Sequence, residues 1–154
     1  MDFFTADLCD EYQERVQVLD PIFKSYAKIE KFSGKIVTIE LNEDNSGLIE
    51  LLKEKGQDRV IVVDVKGEKC AVVGENLVKL AKANGWRGII INGYVRDIEY
   101  TTKAKIGLMA IGTYPKKSIK KSTSIRDIEL NFANVKFIPN STIYVDKDGI
   151  VLME

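Results

Sequence analysis

The sequence contains no histidine. That absence removes the commonest general base, every serine–histidine or cysteine–histidine mechanism, and the usual zinc sites. Cysteine is scarce as well: Cys9 and Cys70 stand far apart and outside any metal-ligand spacing. They read as two buried, reduced thiols. Any metal must therefore sit on oxygen ligands, which selects hard cations such as Mg²⁺ or Mn²⁺. Net charge is missing too, with 23 basic residues against 23 acidic ones. A sequence-independent nucleic-acid binder is usually basic. Direct nucleic-acid binding is not expected, although the totals leave local patches open. The chain opens without a basic-then-apolar leader, and no apolar run reaches the roughly 20 residues of a membrane helix. No membrane partner is expected, and the cytoplasm is the expected location.

What remains is the material of one domain spanning residues 1–154. Hydrophobic residues make up 45% and charged residues 30% of the 154 positions. A chain of that size and balance forms a core without disulfides. No internal repeat, linker or low-complexity block divides it.

Periodicity gives an outline of the fold. Thr5 reads as the cap of a short helix to about Gln13, and Pro21 ends any helical continuation. Lys35–Leu41 alternates like a strand. Asp44 or Asn45 reads as the cap of a helix running to about Lys55, with Gly56 as its stop. Arg59–Val65 (RVIVVDV) reads as a central buried strand and Cys70–Val73 as a short one. Leu77, Leu80, Ala81 and Asn84 follow helical spacing, and Gly85 ends that helix. Gly88–Asn92 (GIIIN) is a further buried strand. Residues 59–92 thus imply a parallel pair with a right-handed crossover. Gly107–Thr113, Ile128–Phe132, Val135–Ile138 and Ile143–Val145 read as β segments, and Lys147-Asp148-Gly149 as a hairpin turn into Ile150–Met153. The class is α/β, helical in the middle and mostly β at the end.

Three features carry candidate chemistry. Gly74-Glu75-Asn76-Leu77 lies where a strand hands over to a helix, whose first amides are unpaired and form an anion site. It reads equally as a tight turn capped by Asn76. Gly93-Tyr94-Val95-Arg96-Asp97 lies just past strand 88–92, at the carboxyl end where α/β sheets collect ligands. An arginine grips a carboxylate with two parallel bonds. An aspartate holds a hard cation through one oxygen. The alternative is an internal ion pair. If the two strands are neighbours, both segments face one crevice, which suits a small 2-oxo dicarboxylic acid. Lys116, Lys117, Lys120 and Lys121 form the third feature, either a functional cationic patch or a solvated loop. Its lack of interleaved aromatics argues against a single-strand RNA reader.

Together these segments resemble a known family. Cys9-Asp10, Val62-Val63-Asp64, Gly74–Leu77, Asn92–Asp97, Pro115…Lys117-Ser118…Lys120-Lys121 and Tyr144…Asp146…Asp148-Gly149-Ile150 resemble, in order and spacing, the RraA-like proteins. That family is named for the regulator of ribonuclease E activity A. The likeness covers nearly the whole chain. The family contains the protein inhibitor of ribonuclease E and metal-dependent aldolases of 4-hydroxy-4-methyl-2-oxoglutarate, which also decarboxylate oxaloacetate. The resemblance implies a three-layer β/β/α fold like a swivelling phosphohistidine domain, and a homotrimer with sites near subunit contacts. Carried over by position, it implies that Gly74, Glu75, Asn76 and Leu77 bind substrate through backbone groups. It further implies that Arg96 holds a substrate carboxylate and Asp97 anchors the divalent metal cation (Mg or Mn). Glu75 stands twenty-one positions before Arg96, where the aldolase pattern has an acid serving the water network and proton transfer. Two departures are visible. Tyr100 occupies a position where many members carry an acid, and Ser122-Thr123-Ser124 replaces a glycine-containing loop. The presence of Asp97 favours catalysis, because the inhibitor branch can lack it. The stretch from Leu8-Cys9-Asp10 to Pro21 is more similar to the regulator branch, which implies ribonuclease E or an RNA helicase as a partner.

Overall fold

The structure, a computed structural model, describes residues 2–119 and 123–154. Helix α1 (Thr5–Tyr12) leads through a 3-10 turn (Gln13–Arg15) to β1 (Val16–Val18) and β2 (Lys24–Ser25). Then come β3 (Phe32–Leu41), α2 (Ser46–Leu52), β4 (Val60–Asp64), β5 (Ala71–Val73), α3 (Glu75–Ala83), β6 (Gly88–Val95), α4 (Ile98–Thr101) and β7 (Gly107–Thr113). Short β8 (Ser124–Arg126), β9 (Leu130–Phe132) and β10 (Val135–Phe137) precede the hairpin of β11 (Thr142–Asp146) and β12 (Gly149–Met153).

Strands β3, β4, β6 and β7 lie side by side and parallel, and β2 adds an antiparallel edge. The first half of β3 pairs antiparallel with β11, which carries β12 and then β1. Strand β3 is long enough to belong to both layers. The central strands bury both faces, with the two-residue alternation of a pleated strand. Ile61, Val63, Ile89 and Ile91 pack against Leu48, Leu51 and Leu52 of α2 and Val78 and Ala81 of α3. Val60, Val62 and Ile90 point the other way, onto Phe137, Ile143, Val145 and Leu152. The result is a three-layer β/β/α fold. It explains why Val60–Val63 is apolar without alternation: neither face of that strand meets water. Each such side chain contributes about 1.5–3 kcal/mol by leaving water.

Asp64 interrupts the apolar run for a local reason. Its Oδ1 accepts the Lys66 amide at 3.0 Å and Asn92 Nδ2 at 3.0 Å, tying the ends of β4 and β6 together. Phe32 lies across Gly88 and Gly107, which are register partners on β6 and β7. A Cβ on Gly88 would stand 2.6 Å from the Phe32 ring, so glycine makes room for the aromatic there.

Several sequence expectations need correction. Thr5 is not a cap: Phe4 occupies that position, and Thr5 is the first helical residue, 3% exposed. Its amide and its Oγ1 each donate to the Asp146 carboxylate at 2.7 Å, a partner 141 positions away. Helix α2 stops at Leu52, short of Lys55, and its cap is Asn45. Gly56 instead donates to the Asn84 carbonyl at 2.7 Å and docks against Trp86. The strand expected over 88–92 runs to Val95, because β5 joins β6 beyond Asn92 and extends its ladder. Cys9 is half-buried rather than buried, whereas Cys70 is buried. Burial, then Glu43 and Glu68, raise the Cys70 thiol pKa. Strands β1, β2 and β8 were not legible: each is short and, unlike the equally short β5, β9 and β10, contains no buried residue. Lys120, Lys121 and Ser122 lie outside the described residues. No described helix is long and apolar enough to cross a membrane.

The Thr5–Asp146 clasp has a pH consequence. Partial burial opposes ionisation of Asp146, but the Thr5 amide and hydroxyl and the Asp148 and Gly149 amides outweigh it. They hold its pKa below the usual 3.8. A carboxylate with a depressed folded pKa contributes stability that is complete above its unfolded value and lost as pH falls through the folded one. Urea midpoints of the protein and of Asp146→Asn should therefore differ most near neutrality and converge on acidification below pH 3.8. A gap that stays constant with pH would argue against the charge of Asp146 as the source.

Candidate functional site

Strands β5 and β6 end side by side. Val73 is in register with Val95, and the Arg96 amide closes the ladder on the Val73 carbonyl at 3.0 Å. The chain then turns twice in the same place. Gly74 caps α3, and Asp97 caps α4 in the left-handed conformation at φ 60°. Asn76 is therefore not the cap but lies inside α3. The two segments that the sequence put at separate strand ends thus meet in one crevice.

The left-handed turn folds the Asp97 carboxylate back over Gly74. Its Oδ2 accepts the Glu75 amide at 2.9 Å, one of the unpaired donors at the start of α3. The positive end of that helix favours the carboxylate. The Asn76 and Leu77 amides have no hydrogen-bond partner among the described residues. Gly74 has ordinary extended backbone, φ −144°, so its requirement is space rather than conformational freedom. A Cβ there would sit 2.5 Å from Asp97 Oδ2 and 3.3 Å from Arg96 Cγ. In sequence, Gly74–Leu77 reads as a site for an external anion. In the fold, the group that approaches is the protein's own carboxylate.

Around this contact opens a cleft of about 650 Å³. Gly74–Leu77, Arg96 and Asp97 line it together with Asn45 and Ile49 of α2 and the segment 116–119. That segment is anchored to the outer edge of β5: the Ala71 amide donates to the Lys116 carbonyl at 2.8 Å, and the Ser118 amide to the Ala71 carbonyl at 3.2 Å. Arg96 is half-buried and reaches the Pro115 carbonyl with Nη1 at 3.4 Å, a long contact that leaves most of its donors available. Asn45 donates its Nδ2 to the Val72 carbonyl at 2.9 Å, fixing α2 to the cleft floor. Sequence reasoning named Asn45 only as a helix cap and placed neither it nor Ile49 at the site, because nothing in a helix pattern marks which of its residues meets a distant strand. Lys116 and Lys117 carried a signal, an unusual local density of positive charge.

Glu75 is half-buried and points along its helix. Its Oε2 accepts Lys79 Nζ at 2.8 Å, one turn away, and that hydrogen bond with its charge raises the Lys79 pKa. The same ammonium lies 5.0 Å above the Tyr100 ring. Tyr100 thus stands beneath a cation, where an acid would add a second carboxylate beside Asp97. Among the described residues no group of three or more acids or cysteines comes together as a metal cage.

Comparison with known proteins identifies the group to which this arrangement belongs. A family model described as RraA-like, Aldolase/RraA, matches residues 5–152. The chain belongs to the RraA-like family. It is 41% identical over 98% of its length, and 96% of the relative's, to a Laribacter hongkongensis protein provisionally named a 4-hydroxy-4-methyl-2-oxoglutarate aldolase. Among solved structures, the RNA-processing inhibitor RraA of Thermus thermophilus superposes with a TM-score of 0.95 at 36% identity, covering 99% of this chain and 93% of that one. A Geobacillus kaustophilus structure described as S-adenosylmethionine:2-dimethylmenaquinone methyltransferase matches with the same TM-score at 39% identity, covering 98% and 94%. One RraA-like fold thus appears under three kinds of name, and the site's chemistry has to choose between them.

The Gly74–Asp97 contact can be tested without any substrate. In Gly74→Ala the added methyl group must push the Asp97 carboxylate away, freeing the Glu75 amide. Amide exchange at Glu75 should then accelerate by about tenfold or more, the equivalent of one lost hydrogen bond. Unchanged protection of that amide would show that the turn tolerates a side chain.

Proposed function

We propose that the chain is a divalent-cation-dependent aldolase that cleaves 4-hydroxy-4-methyl-2-oxoglutarate into two pyruvates and decarboxylates oxaloacetate as a side activity. The observation that supports this reading is the meeting of Arg96, Asp97 and the α3 amides in one cleft. The name of the Laribacter relative points the same way. One RraA-like domain over residues 1–154, working in the cytoplasm as a homotrimer, goes with it.

The donor set fits a hard cation held loosely by protein. Asp97 is exposed, only its Oδ2 is engaged, and Oδ1 has no hydrogen bond among the described residues. Mg²⁺ and Mn²⁺ accept one carboxylate and fill the other positions with water and substrate. When bound, the cation supplies Lewis-acid polarisation of the 2-oxo group and neutralises charge that develops on the enolate. Arg96 orients the substrate by gripping the carboxylate next to the keto group. The Asn76 and Leu77 amides supply further donors for that carboxylate. Glu75, in the same cleft, takes part in moving the proton of the C4 hydroxyl as the C3–C4 bond breaks. That step leaves the enolate of pyruvate at one half and pyruvate itself at the other. Loss of carbon dioxide from oxaloacetate gives the same enolate, so one site serves both reactions.

A second reading has support in the 36% likeness to the Thermus RNA-processing inhibitor. Such a regulator would bind ribonuclease E through its surface and need no Asp97. The two readings separate in one pair of assays. Pyruvate release with Mg²⁺ or Mn²⁺ should fall by on the order of 10²-fold or more in Asp97→Ala, the scale seen when a group stabilising developing charge is removed. Undiminished activity in that variant would sink the metal assignment. Metal-free inhibition of purified ribonuclease E by both the protein and Asp97→Ala, with no pyruvate released, would favour the regulator.

A further inference from the structure

The chain has no net charge, yet its cleft has a surplus of cations. Arg96, Lys116 and Lys117 line it against two carboxylates, Glu75 and Asp97. Glu75 is already neutralised by Lys79 at 2.8 Å, and Asp97 accepts a backbone amide. Neither Lys116 nor Lys117 is in an ion pair among the described residues. Their backbone is nevertheless held. The carbonyl of Lys116 and the amide of Ser118 both bond Ala71, and Ser118 is 7% exposed. Two lysines fixed at the backbone and facing a cleft lose less freedom on binding an anion than lysines of a loose loop. The remaining lining includes Ile49, Leu77 and Ile119, which suits an apolar substituent and offers no competing charge.

We propose that Lys116 and Lys117 form a second carboxylate subsite, which makes the cleft selective for 2-oxo diacids over 2-oxo monoacids. The assignment rests on the reading above, in which Arg96 grips the carboxylate beside the keto group. The lysines then take the distal carboxylate and determine specificity rather than chemistry. The competing role for them is local. Glu43 and Glu68 line a smaller hollow of about 200 Å³ behind the same two lysines, where positive charge would serve only to balance acids.

The test is binding rather than turnover, so that it stands apart from the aldolase assay. 2-Oxoglutarate and 2-oxopentanoate differ only in the distal carboxylate, and neither has the hydroxyl that aldol cleavage needs. Calorimetric titration with Mg²⁺ present should show 2-oxoglutarate binding about tenfold or more tightly, as expected for a charge-assisted contact. In Lys116→Met/Lys117→Met that preference should shrink to about twofold or less with 2-oxopentanoate affinity unchanged, whereas Lys116→Arg/Lys117→Arg should retain it. Raising salt from about 0.05 M to about 0.5 M should erode the preference, because the lysines are exposed. No preference in the unmodified protein, a preference that survives the double methionine variant, or an equal loss for both ligands would overturn the subsite. A lowered melting temperature with the preference intact would assign the lysines to Glu43 and Glu68. Intact preference without pyruvate release from 4-hydroxy-4-methyl-2-oxoglutarate would sink the aldolase reading and leave the subsite standing.

Discussion

The contact of the Asp97 carboxylate with the first amide of α3, across a glycine with no room for a side chain, is the constraint on which the site depends. It works only because β5 and β6 finish level, so that Gly74 and Arg96 leave the sheet together. The left-handed backbone at Asp97 then returns its side chain to the neighbouring turn instead of sending it into solvent. One oxygen of the carboxylate is occupied by this contact, and the other has no hydrogen bond among the described residues. An acid tied down in that way is pre-positioned, as the proposed cation site would require.

The layers behind the site supply the rigidity. The central strands bury apolar side chains on both faces, one set under α2 and α3 and the other over the C-terminal hairpin. The crevice therefore opens at strand ends whose own positions are over-determined. The N-terminal helix is held separately, by Asp146 on that same hairpin. The first helix and the C-terminal hairpin are thus joined on the layer away from the cleft. Changes to that clasp alter stability without touching the site directly.

Charge tells a similar story at two scales. Over the whole chain, positive and negative residues cancel. Within the cleft they do not, because Glu75 turns toward Lys79 while Arg96, Lys116 and Lys117 are in no ion pair among the described residues. Whole-chain charge bears on solubility and non-specific binding, whereas local arrangement decides which ligand fits. Membership of the RraA-like family does not decide it either, since relatives of nearly identical fold have different functional names.

By itself the sequence determined the parallel core. RVIVVDV and GIIIN read as buried strands, and the helix between them implies a parallel crossover. It also placed Arg96–Asp97 just after a strand, and the absence of histidine left oxygen ligands as the expectation for any metal. The motifs around these residues were enough to reveal the family resemblance. Only the tertiary structure decided what those residues do to each other. It brought Asp97 onto the amide of Glu75, made Gly74 a spacer for the protein's own carboxylate, and seated Tyr100 under Lys79. It drew Asn45 and the segment 116–118 to the same cleft. It also recast Thr5 from a cap into a clasp and carried β6 three residues past Asn92. The reason is common to all of these. Periodicity reports which face of a segment avoids water, a local property, whereas each of these contacts joins segments whose separation along the chain carries no periodic trace.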